Sequence, residues 1–174
     1  MNIRSLQLNN KPRRNAPRER MAALATLPVF YKLHGKKVLV AGGSDAAAWK
    51  AELLAAAGAE VHVYAQELDP VFSDLIAEPS VAGSYIWHQI AWSLECFEHM
   101  QIAICDAETE AEARAFYDAA RTAGVAVNVI DKPAFCEFQF GSIVNRSPAV
   151  ISISTDGAGS EMGAIGANHP QHDQ

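Results

Sequence analysis

Cations are scarce over most of this chain. Six of its 14 lysines and arginines (Arg4, Lys11, Arg13, Arg14, Arg18 and Arg20) fall in the first twenty residues against one acid, Glu19, so that stretch carries +5 and the remainder −11 of the net −6. An acidic body excludes nucleic acid as the main partner, because phosphate binding needs a basic face; only the N-terminal arm could touch a polyanion, and weakly. Cysteine is scarce as well. Cys96, Cys105 and Cys136 are an odd set without CxxC spacing, which excludes a disulfide framework or a structural zinc cluster and fits a reducing, cytoplasmic setting. His34, His62, His88 and His99 show no ligand spacing, so no resident metal site is expected. No apolar run approaches the roughly 18 residues of a membrane helix, and the basic start lacks the apolar core of a signal peptide.

What is present is enough for one core: 174 residues, 49% of them apolar. Residues 1–22 have few large apolar side chains and are expected to form a disordered basic arm, with Met1 and Met21 both candidate starts. The folded unit is expected over 23–157. The tail 158–174, rich in Gly, His, Gln and Asn and without a helical apolar period, is expected to be disordered or a remnant of a further helical domain.

Strands and helices alternate along the folded part. KVLVA (37–41) is a short apolar run ending on Gly42 and Gly43, followed by a helical stretch over 45–57 that Gly58 closes, and EVHVY (60–64) alternates like a strand. A short helix is expected from Asp69 and Pro70 through residue 75. Further strands are expected at 85–88, 102–105 and 126–130, and a longer helix over 109–123, with Asp106 as its cap. Such alternation predicts a doubly wound, Rossmann-like and mostly parallel sheet that binds ligands beyond the carboxyl ends of its strands. Those ends carry Gly42, Gly43 and Ser44, then Gln66 and Glu67, then Asp106, then Asp131.

The glycine turn matches G-x-G-x-x-G/A only in part, as Gly42, Ser44 and Ala47. Its context, strand before and helix after, suits a phosphate cradle at the helix start, and equally a tight structural βα turn. No acid stands at Tyr64 or Ala65 to hold a ribose; Glu67 is the nearest candidate. Asp131, before Lys132 and Pro133, reads on its own as turn chemistry.

Two blocks carry a family resemblance. LPVFYKLHGKKVLVAGGSDAAAWKAELLAAAGAEVHVYA and VNVIDKPAFCEFQFGSIVNRSPAVISISTDG resemble, in order and spacing, the dehydrogenase module at the start of sirohaem synthase, the precorrin-2 dehydrogenase and sirohydrochlorin ferrochelatase family. The resemblance runs from about Leu27 to Gly157. It implies a Rossmann-like domain that passes a hydride from precorrin-2, a polycarboxylate tetrapyrrole, to NAD, in many members followed by insertion of Fe²⁺ as a substrate. It also implies a homodimer built through C-terminal helices. Carried over by position, Asp131 matches the catalytic aspartate. Asp45, Ala46, Gln66 and Glu67, with the turn Gly42, Gly43 and Ser44, match the NAD contacts. Thr155 falls near the tetrapyrrole, and Lys50, Lys132 and Arg146 are the available cations for its carboxylates.

Three departures stand out. Ser44 replaces the third glycine, Trp49 stands where the family has arginine, and the helices that cover the substrate and form the dimer have no counterpart after Gly157. A second reading therefore stays open: a non-catalytic NAD- or tetrapyrrole-binding module, or an inactive relative that needs a partner chain. Arg146 is equally a surface charge, and Thr155 equally the end of the alternating run AVISIST.

Overall fold

The computed structural model describes residues 21–78, 80 and 82–154. Five parallel strands, β1 (Lys37–Ala41), β2 (Glu60–Tyr64), β3 (Ser84–His88), β4 (Ile102–Cys105) and β5 (Ala126–Val129), pair in the order β3-β2-β1-β4-β5. Helix α1 (Asp45–Ala56) joins β1 to β2, α2 (Pro70–Ala77) joins β2 to β3, and α3 (Glu110–Thr122) joins β4 to β5. An antiparallel ribbon follows, β6 (Ser142–Arg146) with β7 (Ala149–Ile153).

The sheet is covered on both faces, as parallel sheets require, and its central strands β1, β2 and β4 are buried at nearly every position, mostly by apolar residues, with His62 the buried polar exception. Side chains alternate, so Val38, Val40, Val61, Val63, Ile102 and Ile104 pack with α1 and Phe72 of α2. Leu39, Ala41, Ala103, Cys105, Val127 and Val129 point the other way, onto α3 and the rings of Phe97 and Phe116, 5.1 Å apart. Helix α1 is alanine-rich on its buried side (Ala47, Ala48, Ala51, Ala55), which lets it lie close against the sheet.

Local signals set the element ends. Thr109 caps α3, accepting from the Glu112 N–H at 3.2 Å while the Glu112 carboxylate accepts from the Thr109 N–H at 3.2 Å. The cap expected at Asp106 is thus three residues further on, where a Thr/Glu pair can close a reciprocal box. The ribbon has no counterpart in the expected elements. All ten of its strand residues are exposed, Ile143, Val144, Val150, Ile151 and Ile153 among them. The tail 158–174 and most of the arm lie outside the described residues.

Candidate functional site

The strand order reverses between β1 and β4, which opens a crevice at their carboxyl ends. β1 leaves through Gly42, whose φ of 117° is outside the range of ordinary side chains, and Gly43. A Cβ on Gly43 would stand 2.1 Å from the Glu67 carbonyl oxygen, and one on Gly42 would stand 3.0 Å from the Asp106 Cβ. The turn is therefore wedged between the loops that follow β2 and β4. The Asp69 N–H donates to the Gly43 carbonyl at 2.8 Å, and the Asp106 N–H to the Ala41 carbonyl at 2.9 Å.

Ser44, in place of a third glycine, is the N-cap of α1. Its Oγ accepts from the Ala47 N–H at 3.2 Å and donates to the Asp106 carboxylate. Asp45 and Ala46 follow, both exposed, and their N–H groups have no carbonyl one turn back within the helix. Gln66 and Glu67 are exposed past β2, where the Gln66 carbonyl accepts from Gln89 Nε2 at 3.3 Å.

Asp131 lies past β5, exposed, at φ 56°, directly after the buried Ile130. A non-glycine residue in that region is uncommon and tends to mark a site of function. Its neighbour Lys132 reaches across to the loop after β4, donating from Nζ to the Ala107 carbonyl at 2.7 Å. Lys50, on α1, sits over the rings of Phe140 and Trp49 at 4.2 and 4.5 Å. Burial pushes its ammonium below the usual lysine range, while the charge of Asp131 acts against that shift. Cys136 is itself pushed up by burial and donates to the Val129 carbonyl at 3.2 Å. Asp131 and Lys50 thus form one electrostatic group beside an aromatic collar. Cys105, pushed up to about 12 by burial and then by Asp106, is an inert packed thiol.

Two candidates lie elsewhere. Arg146 is exposed at the turn end of β6, donating to the Asn145 carbonyl at 3.0 Å, and Thr155 lies outside the described residues. A cavity of about 410 Å³ opens at the opposite edge, near the start of β3 and the end of α2, lined by Ile76, Ser80 and Tyr85 among others, away from the rim. Sequence reasoning missed the Ser44–Asp106 contact and the seat of Lys50 on Phe140; pairs 62 and 90 residues apart leave no local signal.

Residues 29–142 match the model of a family described as "Putative NAD(P)-binding". The chain belongs to this family. It is also similar to curated siroheme synthases. That of Pseudomonas putida is 39% identical over 136 residues, 75% of this chain and 27% of that protein. Siroheme synthase 1 of Serratia proteamaculans is 35% identical over 131 residues, again 75% and 27%. That of Neisseria meningitidis is 37% identical over 136 residues, 75% and 26%. The chain spans about a quarter of the length of these relatives. Among solved structures, SirC, a precorrin-2 dehydrogenase, superposes with a TM-score of 0.59 at 19% identity, over 76% of this chain and 63% of that one, a likeness of fold. Among the described residues no helix is long and apolar enough to cross a membrane.

Proposed function

We propose that this chain oxidises precorrin-2 to sirohydrochlorin with NAD as hydride acceptor and Asp131 as general acid/base. The observation that carries the reading is the placement of Asp131: an exposed carboxylate at φ 56° on the β4–β5 side of the crevice. A dinucleotide crossing a Rossmann switch point lays its adenosine toward β2, which leaves its nicotinamide toward β4 and β5. The names of the relatives, siroheme synthase and precorrin-2 dehydrogenase, support the substrate.

The residues present suit the cofactor. The unpaired N–H groups of Asp45 and Ala46 at the start of α1 offer pyrophosphate oxygens two donors beside Gly42, Gly43 and Ser44. Gln66 and Glu67 offer acceptors to a ribose, and no cation follows β2 before α2 to match a 2′-phosphate, which favours NAD over NADP. When bound, NAD supplies the two-electron sink for the hydride. The rest falls to the chain: a proton must leave the macrocycle as the hydride goes, and the Asp131 carboxylate takes it. Lys50 faces the substrate's carboxylates, with the remaining N–H groups of Lys132; Arg146 and Thr155 join them by the resemblance alone.

Fe²⁺ insertion, with Fe²⁺ as substrate, would use the same carboxylate to take pyrrole N–H protons. By the same resemblance we propose a cytoplasmic protein with its Rossmann-like unit over 23–157, flanked by a basic arm and a polar tail; the family's homodimer, whose helices the sequence does not match, is tested by light scattering. A second reading, a binding module that needs a partner chain, is favoured by one observation: an aspartate stands at the phosphate-holding end of α1. Anaerobic incubation with precorrin-2 and NAD⁺ tests the proposal. Equal amounts of NADH and sirohydrochlorin are expected; folded protein that makes neither overturns it.

A further inference from the structure

We propose that Asp106 is a negative determinant of dinucleotide affinity: its carboxylate, held by Ser44 at the amino end of α1, opposes the pyrophosphate that the same helix end would hold. The inference rests on the dinucleotide reading above and concerns how tightly that site binds.

The backbone of Asp106 and its neighbours place the carboxylate. The Asp106 N–H donates to the Ala41 carbonyl at 2.9 Å, which locks its backbone against the end of β1. Its Cβ lies 3.0 Å from where a side chain on Gly42 would begin, so it fills the space beside the glycine turn. Its Oδ2 then accepts from the Ser44 hydroxyl. A helix start favours an anion through its free N–H groups and its dipole, and here the anion is already supplied by the protein. Asp45, in the first turn of the same helix, adds a second negative charge.

Lys132 reaches the same loop, but its ammonium donates to the Ala107 carbonyl at 2.7 Å, and among the described residues no ion pair involves Asp106. A dinucleotide therefore has to displace the Ser44–Asp106 contact or tolerate a carboxylate against its phosphates. Ser44 is what makes the arrangement possible, since a glycine at that position would have no hydroxyl to hold the aspartate.

Titration calorimetry of the full chain with NAD⁺ and, separately, with adenosine tests this on wild type, Asp106→Asn and Asp106→Ala. Asparagine keeps the Ser44 hydroxyl's acceptor and nearly the same shape, and thermal melting checks that each variant is folded. NAD⁺ should bind both variants at least about tenfold more tightly than wild type, because a like charge at close range in a partly buried crevice is removed. Adenosine, which has no phosphate, should bind all three equally. Unchanged or weaker NAD⁺ binding by folded variants overturns the role of Asp106 and leaves the dinucleotide reading standing. So does an equal gain for adenosine. No NAD⁺ binding by any of the three overturns both.

Discussion

Lys132 Nζ donates to the Ala107 carbonyl oxygen at 2.7 Å, tying the loop after β5 to the loop after β4. The lysine next to the candidate catalytic residue is thus part of the scaffold that sets the rim. Lys132→Met removes a half-buried, charge-assisted hydrogen bond and should lower unfolding stability by about 1–2 kcal/mol. Urea unfolding measures it. An unchanged midpoint together with a large rise in KM for the tetrapyrrole would assign Lys132 to the substrate instead.

Asp131 occupies the left-handed region at φ 56°, which costs an ordinary residue about 1–2 kcal/mol and an aspartate less. If the side chain is kept for chemistry, Asp131→Gly relieves that cost and leaves stability equal or higher by up to about 1 kcal/mol, after the entropy that glycine adds to the unfolded chain. Activity should vanish in the same variant. A loss of stability of about 1 kcal/mol or more in Asp131→Gly would instead make the carboxylate a turn cap.

Gly43 has no room for a side chain. The oxygen of Glu67 lies 2.1 Å from where its Cβ would be, and the Leu68 Cα 3.1 Å away, so backbone has to move. Gly43→Ala should cost about 3 kcal/mol, the upper end for overpacking. A melting temperature within a degree or so of wild type would show that the β2 loop yields freely, and that the crevice is not built as described.

His88 gives the fold a pH dependence. Its ring stacks on Tyr64 at 4.4 Å between centroids, and its Nε2 shares a hydrogen bond with His62 Nδ1 at 3.0 Å, while His62 Nε2 meets Glu60 at 2.8 Å. Burial, then the charge of His62, holds the His88 imidazole below its usual range, and the Tyr64 phenol, pushed up to about 12, stays neutral beside it. A histidine whose folded value is lowered binds fewer protons folded than unfolded. Its contribution is complete above the unfolded value near about 6.5, and is lost as pH falls from there through the lowered folded value. Melting scans should show less acid destabilisation in His88→Phe than in wild type between about pH 7.5 and about pH 5. Parallel pH profiles would remove His88 from the account.

Much of this architecture was legible where one residue speaks for its own neighbourhood. A short apolar run ended by Gly42 and Gly43 marked β1, a helical stretch closed by Gly58 in a left-handed turn (φ 87°) marked α1, and the alternation of EVHVY marked β2. The sequence-based bounds of β4, 102–105, coincide with Ile102–Cys105, an apolar run buried throughout. Asp131 could be placed on the rim, since it follows the last residue of a buried run. What could not be read were contacts made by the closing of the sheet: Ser44 with Asp106, Lys50 with Phe140, Lys132 with Ala107. The alternation of β7 showed in the run AVISIST, but its pairing with β6 could not be read because the exposed strands impose no pattern of burial, and Asp106, closer to the strand end, stood in for Thr109 as the cap.

The most direct test of the central claim is the anaerobic single-turnover rate of NADH formation from precorrin-2 by wild type and Asp131→Asn, with the Kd for NAD⁺ measured on both. The account predicts a rate lower by about 100-fold or more in the variant, the usual worth of a positioned acid/base, with NAD⁺ binding unchanged. Equal rates would contradict it.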